Sequence, residues 1–250
     1  MNIPYQNMEI EQIYTQLLSD KHASIAICSA EAGEGVTSLA FALAQRSLLA
    51  GHSTLLVDLN LYRPALKSLL DIESQSLTAQ YSGQSKNRQL ITTNILPPPQ
   101  LICSEQIMVA INGVIAPSKR EHIMKLRQPG VIEQCISEWL KSYDTVIIDT
   151  SPLNRVNAQN IPAERVAAAC DGALLTVLAG QTTEASINSA HSKLDNAKAK
   201  LFGSVINDRD NPTLRDELLR EVRRMEPLFS WLSKPLKKII NRNRLLTLEI

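Results

Sequence analysis

Gly33, Gly35, Thr37 and Ser38 stand in the stretch Ser29-Ala30-Glu31-Ala32-Gly33-Glu34-Gly35-Val36-Thr37-Ser38, between a short apolar run and a longer Ala/Leu-rich one. That order suits a loop that wraps phosphate. Glycines let backbone N–H groups converge on oxygens, and the start of the next helix adds its positive dipole end. A Ser or Thr hydroxyl can then hold magnesium. The lysine that would neutralise the β- and γ-phosphates is missing, and its position holds Val36. Two acids, Asp58 and Asp149, each end an apolar run. An acid at the end of a buried strand can hold magnesium or its water shell. Taken alone, the loop fits a tight strand-to-helix turn without a ligand equally well. The two strand-ending acids tip the balance toward a site.

The elements that must carry these residues follow from periodicity. Ser24-Ile25-Ala26-Ile27-Cys28 and Ser53-Thr54-Leu55-Leu56-Val57 read as buried strands, with a helix from Thr37 to Ala50 between them and Gly51 at its stop. Strand, glycine loop, helix and strand make a βαβ unit with a parallel sheet. Met108–Ile111, Thr145–Ile148, Ala173–Leu178 and Leu201–Ile206 read as further strands. Residues 130–142 and a segment through Ile187, Ala190, Leu194 and Ala197 show helical spacing. Val57, Ile147, Val177 and Val205 are expected in buried central strands. Pro97-Pro98-Pro99 breaks any element there, and Gln75 to Asn94 is mostly polar. The pattern predicts an α/β fold, a doubly wound, mainly parallel sheet flanked by helices. The domain reading is an N-terminal helical segment over 1–22, the α/β domain over 23–212 and a basic amphipathic helical tail over 213–250.

Composition agrees. The chain has 250 residues, 44% apolar and 20% charged, with net charge +1, which is globular and gives no global reason to expect nucleic acid. No apolar run reaches the ~18 residues of a membrane span, and the start shows no signal peptide. Cysteines at 28, 103, 135 and 170 fit neither a zinc pattern nor a redox pair, so the expectation is a reduced, cytoplasmic protein.

At this point a resemblance is visible. Gly33-Glu34-Gly35-Val36-Thr37-Ser38, Leu55-Leu56-Val57-Asp58-Leu59-Asn60-Leu61-Tyr62-Arg63-Pro64 and Tyr143-Asp144-Thr145-Val146-Ile147-Ile148-Asp149-Thr150-Ser151-Pro152 resemble three motifs of bacterial tyrosine kinases that regulate capsule and exopolysaccharide assembly. These belong to the deviant P-loop class that includes the chromosome-partitioning and septum-site ATPases. Ala169-Cys170-Asp171-Gly172, Gly180-Gln181-Thr182-Thr183 and Leu201-Phe202-Gly203-Ser204-Val205-Ile206-Asn207 follow in the class's order. The resemblance implies a P-loop NTPase-like fold binding ATP or ADP with Mg2+. Gly33, Glu34, Gly35, Val36, Thr37, Ser38 and Asn207 would line the nucleotide. Thr37, Asp58 and Asp149 would hold the metal, and the two aspartates are the family's catalytic positions. It also implies a membrane chain-length-determinant or polysaccharide-export partner, homo- or hetero-oligomers, and a place in the cytoplasm at the inner membrane.

The departures are as informative. The family's loop lysine is Val36, and the extra lysine of the partitioning ATPases would fall at Glu31. The second acid of the second motif is Asn60, and the arginine two further on is Tyr62. The Glu-x-x-Arg-x-x-Arg oligomerisation motif finds its best register at Glu11, Tyr14 and Leu17, without either arginine. Tyrosines stand only at 5, 14, 62, 81 and 143, so the family's C-terminal tyrosine cluster is absent. Two function classes stay open. One is a regulatory relative with weak or lost kinase and ATPase activity that works through protein partners. The other is an active kinase or partitioning-type ATPase in which another cation, with Arg63 close in sequence, replaces the lysine. The joint loss of lysine, arginines and tyrosines favours the first. The tail has two readings as well: a helix packed on the domain or docked to a partner, or one that touches the membrane surface.

Overall fold

The computed structural model describes residues 7–18, 22–66, 95–104, 107–155, 157–209, 214–225 and 235–240. They fall into two compact units. The first runs to Val177 and again from Thr182 to Asn207; the second holds Leu178–Gln181 and the residues from Asp208 onward.

The first unit is built on a seven-stranded sheet: β1 (Ser24–Ser29), β2 (Thr54–Leu59), β3 (Gln100–Ser104), β4 (Ile107–Val114), β5 (Thr145–Thr150), β6 (Gly172–Leu178) and β7 (Leu201–Asn207), in the order β3-β4-β2-β5-β1-β6-β7. β1 pairs in parallel with β5 and β6, and β2 with β4 and β5, while β3 and β4 are antiparallel. Every residue of β1, β2 and β5 is buried. This is the signature of parallel strands covered on both faces, and it explains why they read as continuous apolar runs.

Side chains alternate between the faces. Ile25, Ile27, Leu56 and Ile147 join one apolar cluster with helices α1 (Met8–Leu17) and α2 (Val36–Leu49). Ala26, Cys28, Leu55, Val57, Val146 and Ile148 join the other, with α4 (Val131–Trp139), α5 (Ala163–Ala169) and α6 (Glu184–Asn196). A short α3 (Arg120–Leu126) precedes α4. The sheet is thus wound on both sides, as the spacing of its runs predicts. α1 sits on α2: Ile10, Tyr14 and Leu18 are buried, Glu11 forms an ion pair with Arg46, and the Arg46 guanidinium lies 4.3 Å above the Tyr14 ring. Gly51 does stop α2, with φ +92°, a left-handed turn that glycine takes at little cost.

Cys28, Cys135 and Cys170 are free thiols. Cys28 is wholly buried in mid-sheet, and burial pushes its thiol up to about 12. Cys135 in α4 is pushed up to about 11 by the same cause.

Two expectations need correcting. Val57 and Ile147 are fully buried, but Val177 is half-buried and Val205 lies half-buried on β7, the sheet edge. There the neighbouring Ile206 is 73% exposed, because an edge strand lacks cover on one side. β3, which follows the three prolines directly, was not expected at all. In the second unit, α7 (Leu214–Met225) carries Arg220, Arg223 and Arg224 on exposed positions and buries Val222. The polar stretch 75–94 and the tail residues 226–234 and 241–250 lie outside the described residues.

Candidate functional site

The sheet brings the singled-out residues to one edge. β1 ends at Ser29, the loop crosses to the start of α2 at Val36, and Asp58, Asp149 and Asn207 sit at or near the carboxyl ends of β2, β5 and β7. In such sheets that edge is where ligands bind. Gly33 and Gly35 hold φ values of +89° and +99°. Side-chain-bearing residues rarely adopt these angles, so the loop's path depends on the two glycines. Gly35 also faces a close approach. A Cβ there would lie 2.5 Å from Asn207 Nδ2, which donates to the Glu34 carbonyl at 3.0 Å.

Glu34 is buried and braces the loop from inside. One carboxylate oxygen accepts from Ala30 N at 2.8 Å, and the other accepts from the Thr182 hydroxyl. Outside the loop, Glu31 takes the Arg155 Nε at 3.0 Å, with Asn154 Nδ2 and Ser186 Oγ each at 3.4 Å. Val36 is 6% exposed and folds into the apolar cluster of α1 and α2.

Asp58 and Asp149 lie side by side in register on adjacent strands. Asp149 accepts from Thr37 Oγ1 at 2.5 Å and from Asn60 Nδ2 at 3.3 Å. Asp58 is tied down differently: it accepts the backbone N–H groups of Asn60, Ala65 and Leu66 at 2.9, 2.9 and 3.1 Å, so it shapes the turn after β2. Among the described residues neither acid forms an ion pair. Burial, with the charge of Asp58 added, pushes the Asp149 carboxyl up to about 8. Burial also raises Asp58, against the pull of its three backbone donors. Two buried acids beside a hydroxyl, with no ion-paired cation among the described residues, form an oxygen donor set that suits a hard divalent cation. Thr37 and Asp149 are the ready pair, since the Asp58 oxygens already hold the backbone.

The chain is 26% identical over 198 residues to tyrosine-protein kinase CpsD of Streptococcus pneumoniae, covering 78% of this chain and 80% of that protein. It is 27% identical over 187 residues to tyrosine-protein kinase YwqD of Bacillus subtilis (strain 168), covering 74% and 72%. This chain is a homologue of the bacterial tyrosine-protein kinases. Solved structures agree on the fold. The chimerical protein CapA2B2 matches this kinase homologue with a TM-score of 0.56 at 20% identity, over 79% of this chain and 80% of that one. The septum site-determining protein MinD of Pyrococcus horikoshii OT3, complexed with Mg-ADP, matches with a TM-score of 0.51 at 16% identity, over 76% and 72%. The kinase homologue therefore has the α/β fold of the P-loop class. A scan against protein-family models finds no match.

Against that family, the expected residues do converge. Gly33, Gly35, Thr37, Asp58, Asp149 and Asn207 share one edge, Asn207 through its bond to the loop. Ser38 lies half-buried on the first turn of α2. Glu34, expected against nucleotide, spends its carboxylate on the loop's own brace. Val36 turns into the core cluster. Arg63 is exposed, and its backbone N–H donates to Asn60 Oδ1 at 3.1 Å. Sequence reasoning did not foresee the contacts of Thr182 and Arg155 with the loop. Only the Gly180-Gln181-Thr182-Thr183 match hinted at the first.

Proposed function

We propose that this tyrosine-kinase homologue is a regulatory nucleotide-binding protein of capsule or exopolysaccharide assembly, with weak or lost turnover, acting through a membrane chain-length or export partner. The observation that carries the reading is Val36, buried where the family places its phosphate lysine, beside the left-handed glycines Gly33 and Gly35 and the acids Asp58 and Asp149. The backbone cradle needs no side chain, so nucleotide can still dock at Gly33 to Thr37. Bound there, Mg2+ would be held by Thr37 and Asp149, with Asp58 fixing the turn behind them, and it would neutralise phosphate charge.

Phosphoryl transfer depends on positive charge that meets the charge developing in the transition state. The lysine is gone, Asn60 stands where the family has a second acid, and Tyr62 stands where it has an arginine. Docking of nucleotide thus outlasts catalysis in this arrangement. In this reading the basic helix α7 packs on the domain or docks to the partner, with the membrane surface as its other candidate, and the family resemblance supports a place in the cytoplasm at the inner membrane.

The test is ATP turnover with magnesium, together with a search for phosphotyrosine on purified protein by mass spectrometry. Turnover below about 1 s⁻¹, the low end of ordinary enzymes, and no phosphotyrosine are the expected results. Faster turnover or phosphotyrosine would establish the second reading, an active enzyme with a substitute cation.

A further inference from the structure

We propose that Arg155 supplies the phosphate-binding cation that Val36 no longer provides, and that Glu31 holds it ready beside the loop. This rests on the nucleotide reading above. Glu31 stands two residues before Gly33, and its carboxylate takes the Arg155 Nε at 3.0 Å. The chain that carries Arg155 is lashed along the loop: Leu153 N donates to Ser29 O at 2.8 Å, and Asn154 N to Ala30 O at 3.0 Å. Asn154 is fixed in turn by Ser189 Oγ and Lys193 Nζ, each 3.0 Å from its Oδ1. The base of Arg155 is therefore set firmly against the loop, while 57% of its side chain remains exposed.

Other cations near the edge are less suited. Lys193 is committed to Leu153 O at 2.7 Å as well as to Asn154. Arg63 is exposed on the turn after β2, and among the described residues no contact holds its guanidinium to the loop as Glu31 holds that of Arg155. A guanidinium presents a planar fork of donors that matches phosphate oxygens, and an arriving polyphosphate would compete with the Glu31 carboxylate for it. Glu31 then acts as a stand-in for phosphate while the site waits.

The test is calorimetric titration of the full chain with MgATP, inorganic tripolyphosphate and adenosine. The variants are Arg155→Ala, Arg155→Lys and Glu31→Gln. Arg155→Ala should weaken MgATP and tripolyphosphate by about tenfold or more and leave adenosine unchanged. Arg155→Lys should recover part of the loss. Glu31→Gln should strengthen both phosphate ligands several-fold, because the competitor is gone. Unchanged MgATP affinity in Arg155→Ala would overturn the proposal and leave the nucleotide reading standing. So would Glu31→Gln weakening the ligands as much as Arg155→Ala does, which would mean that the pair only shapes the loop. A wild-type chain that binds neither MgATP nor tripolyphosphate overturns both readings.

Discussion

Asp58 and Asp149 face each other in register on the parallel strands β2 and β5, both buried and neither paired with a cation among the described residues. Burial and the neighbouring charge keep the Asp149 carboxyl protonated up to about pH 8. In the unfolded chain an aspartate ionises near ~3.9. Between these values the folded state binds the extra proton, so this group's contribution to stability falls as pH rises through the window and levels off above it. Asp149→Asn has no proton to lose. Its stability relative to wild type should grow with pH, at up to ~1.4 kcal/mol per pH unit. Urea unfolding of both proteins from pH 5 to 9 checks this, and parallel profiles would refute it.

Val36→Lys should raise ATP affinity without restoring kinase activity. A charge-assisted contact is worth about 1.5–3 kcal/mol, or roughly 10- to 150-fold. The aliphatic stem can follow the path of the valine while the ammonium emerges at the loop. A stability loss of about 1 kcal/mol should accompany the change, since a well-packed apolar side chain is replaced. Turnover should stay low because Asn60 and Tyr62 are unchanged. No gain in affinity by calorimetry would show that a lysine at this position does not reach the phosphates.

Gly33→Ala and Gly35→Ala separate backbone strain from crowding. Both sites lie at positive φ, which costs about 1–2 kcal/mol for a residue with a Cβ. Open space surrounds Gly33, whereas a Cβ at Gly35 would press on the Asn207 amide. Gly35→Ala should therefore cost more, and it alone should break the bond from Asn207 to the Glu34 carbonyl. Melting curves rank the two, and equal losses would show that Asn207 simply swings away.

Glu34→Ala strips the loop of its inner brace. Ala30 N loses its acceptor in a buried setting, a penalty of about 1–3 kcal/mol. Glu34→Gln keeps an acceptor for Ala30 N and a partner for the Thr182 hydroxyl, so it should lose far less. Chemical denaturation that found the two variants alike would place the brace elsewhere.

The runs at 24–29, 54–59 and 145–150 were legible because both faces of a parallel sheet are covered, which leaves no polar alternation to blur them. The edges were not. β3 is a Gln-Leu-Ile-Cys-Ser run directly after three prolines, and its antiparallel pairing with β4 leaves no local trace. α3 buries Leu126 alone among its residues, so its charged sequence shows no stripe. α5 is short and alanine-rich, and alanine marks no face. At the site, residue types and spacing gave the glycines, Thr37 and both acids. The links from Glu34 to Thr182 and from Glu31 to Arg155 join residues more than 100 positions apart. Such contacts follow from strand order, which periodicity does not encode.

Cys28 gives the sheet a clock of its own. Alkylating reagents attack the thiolate, and a thiol wholly buried in β1 and held up to about 12 meets them only when the centre of the sheet comes apart. Cys135, on α4, needs only that helix to lift. The rates at which the two cysteines are labelled, resolved peptide by peptide, therefore distinguish a local loosening of the outer layer from rupture of the whole unit. Both can be read in the unaltered chain, with no probe introduced.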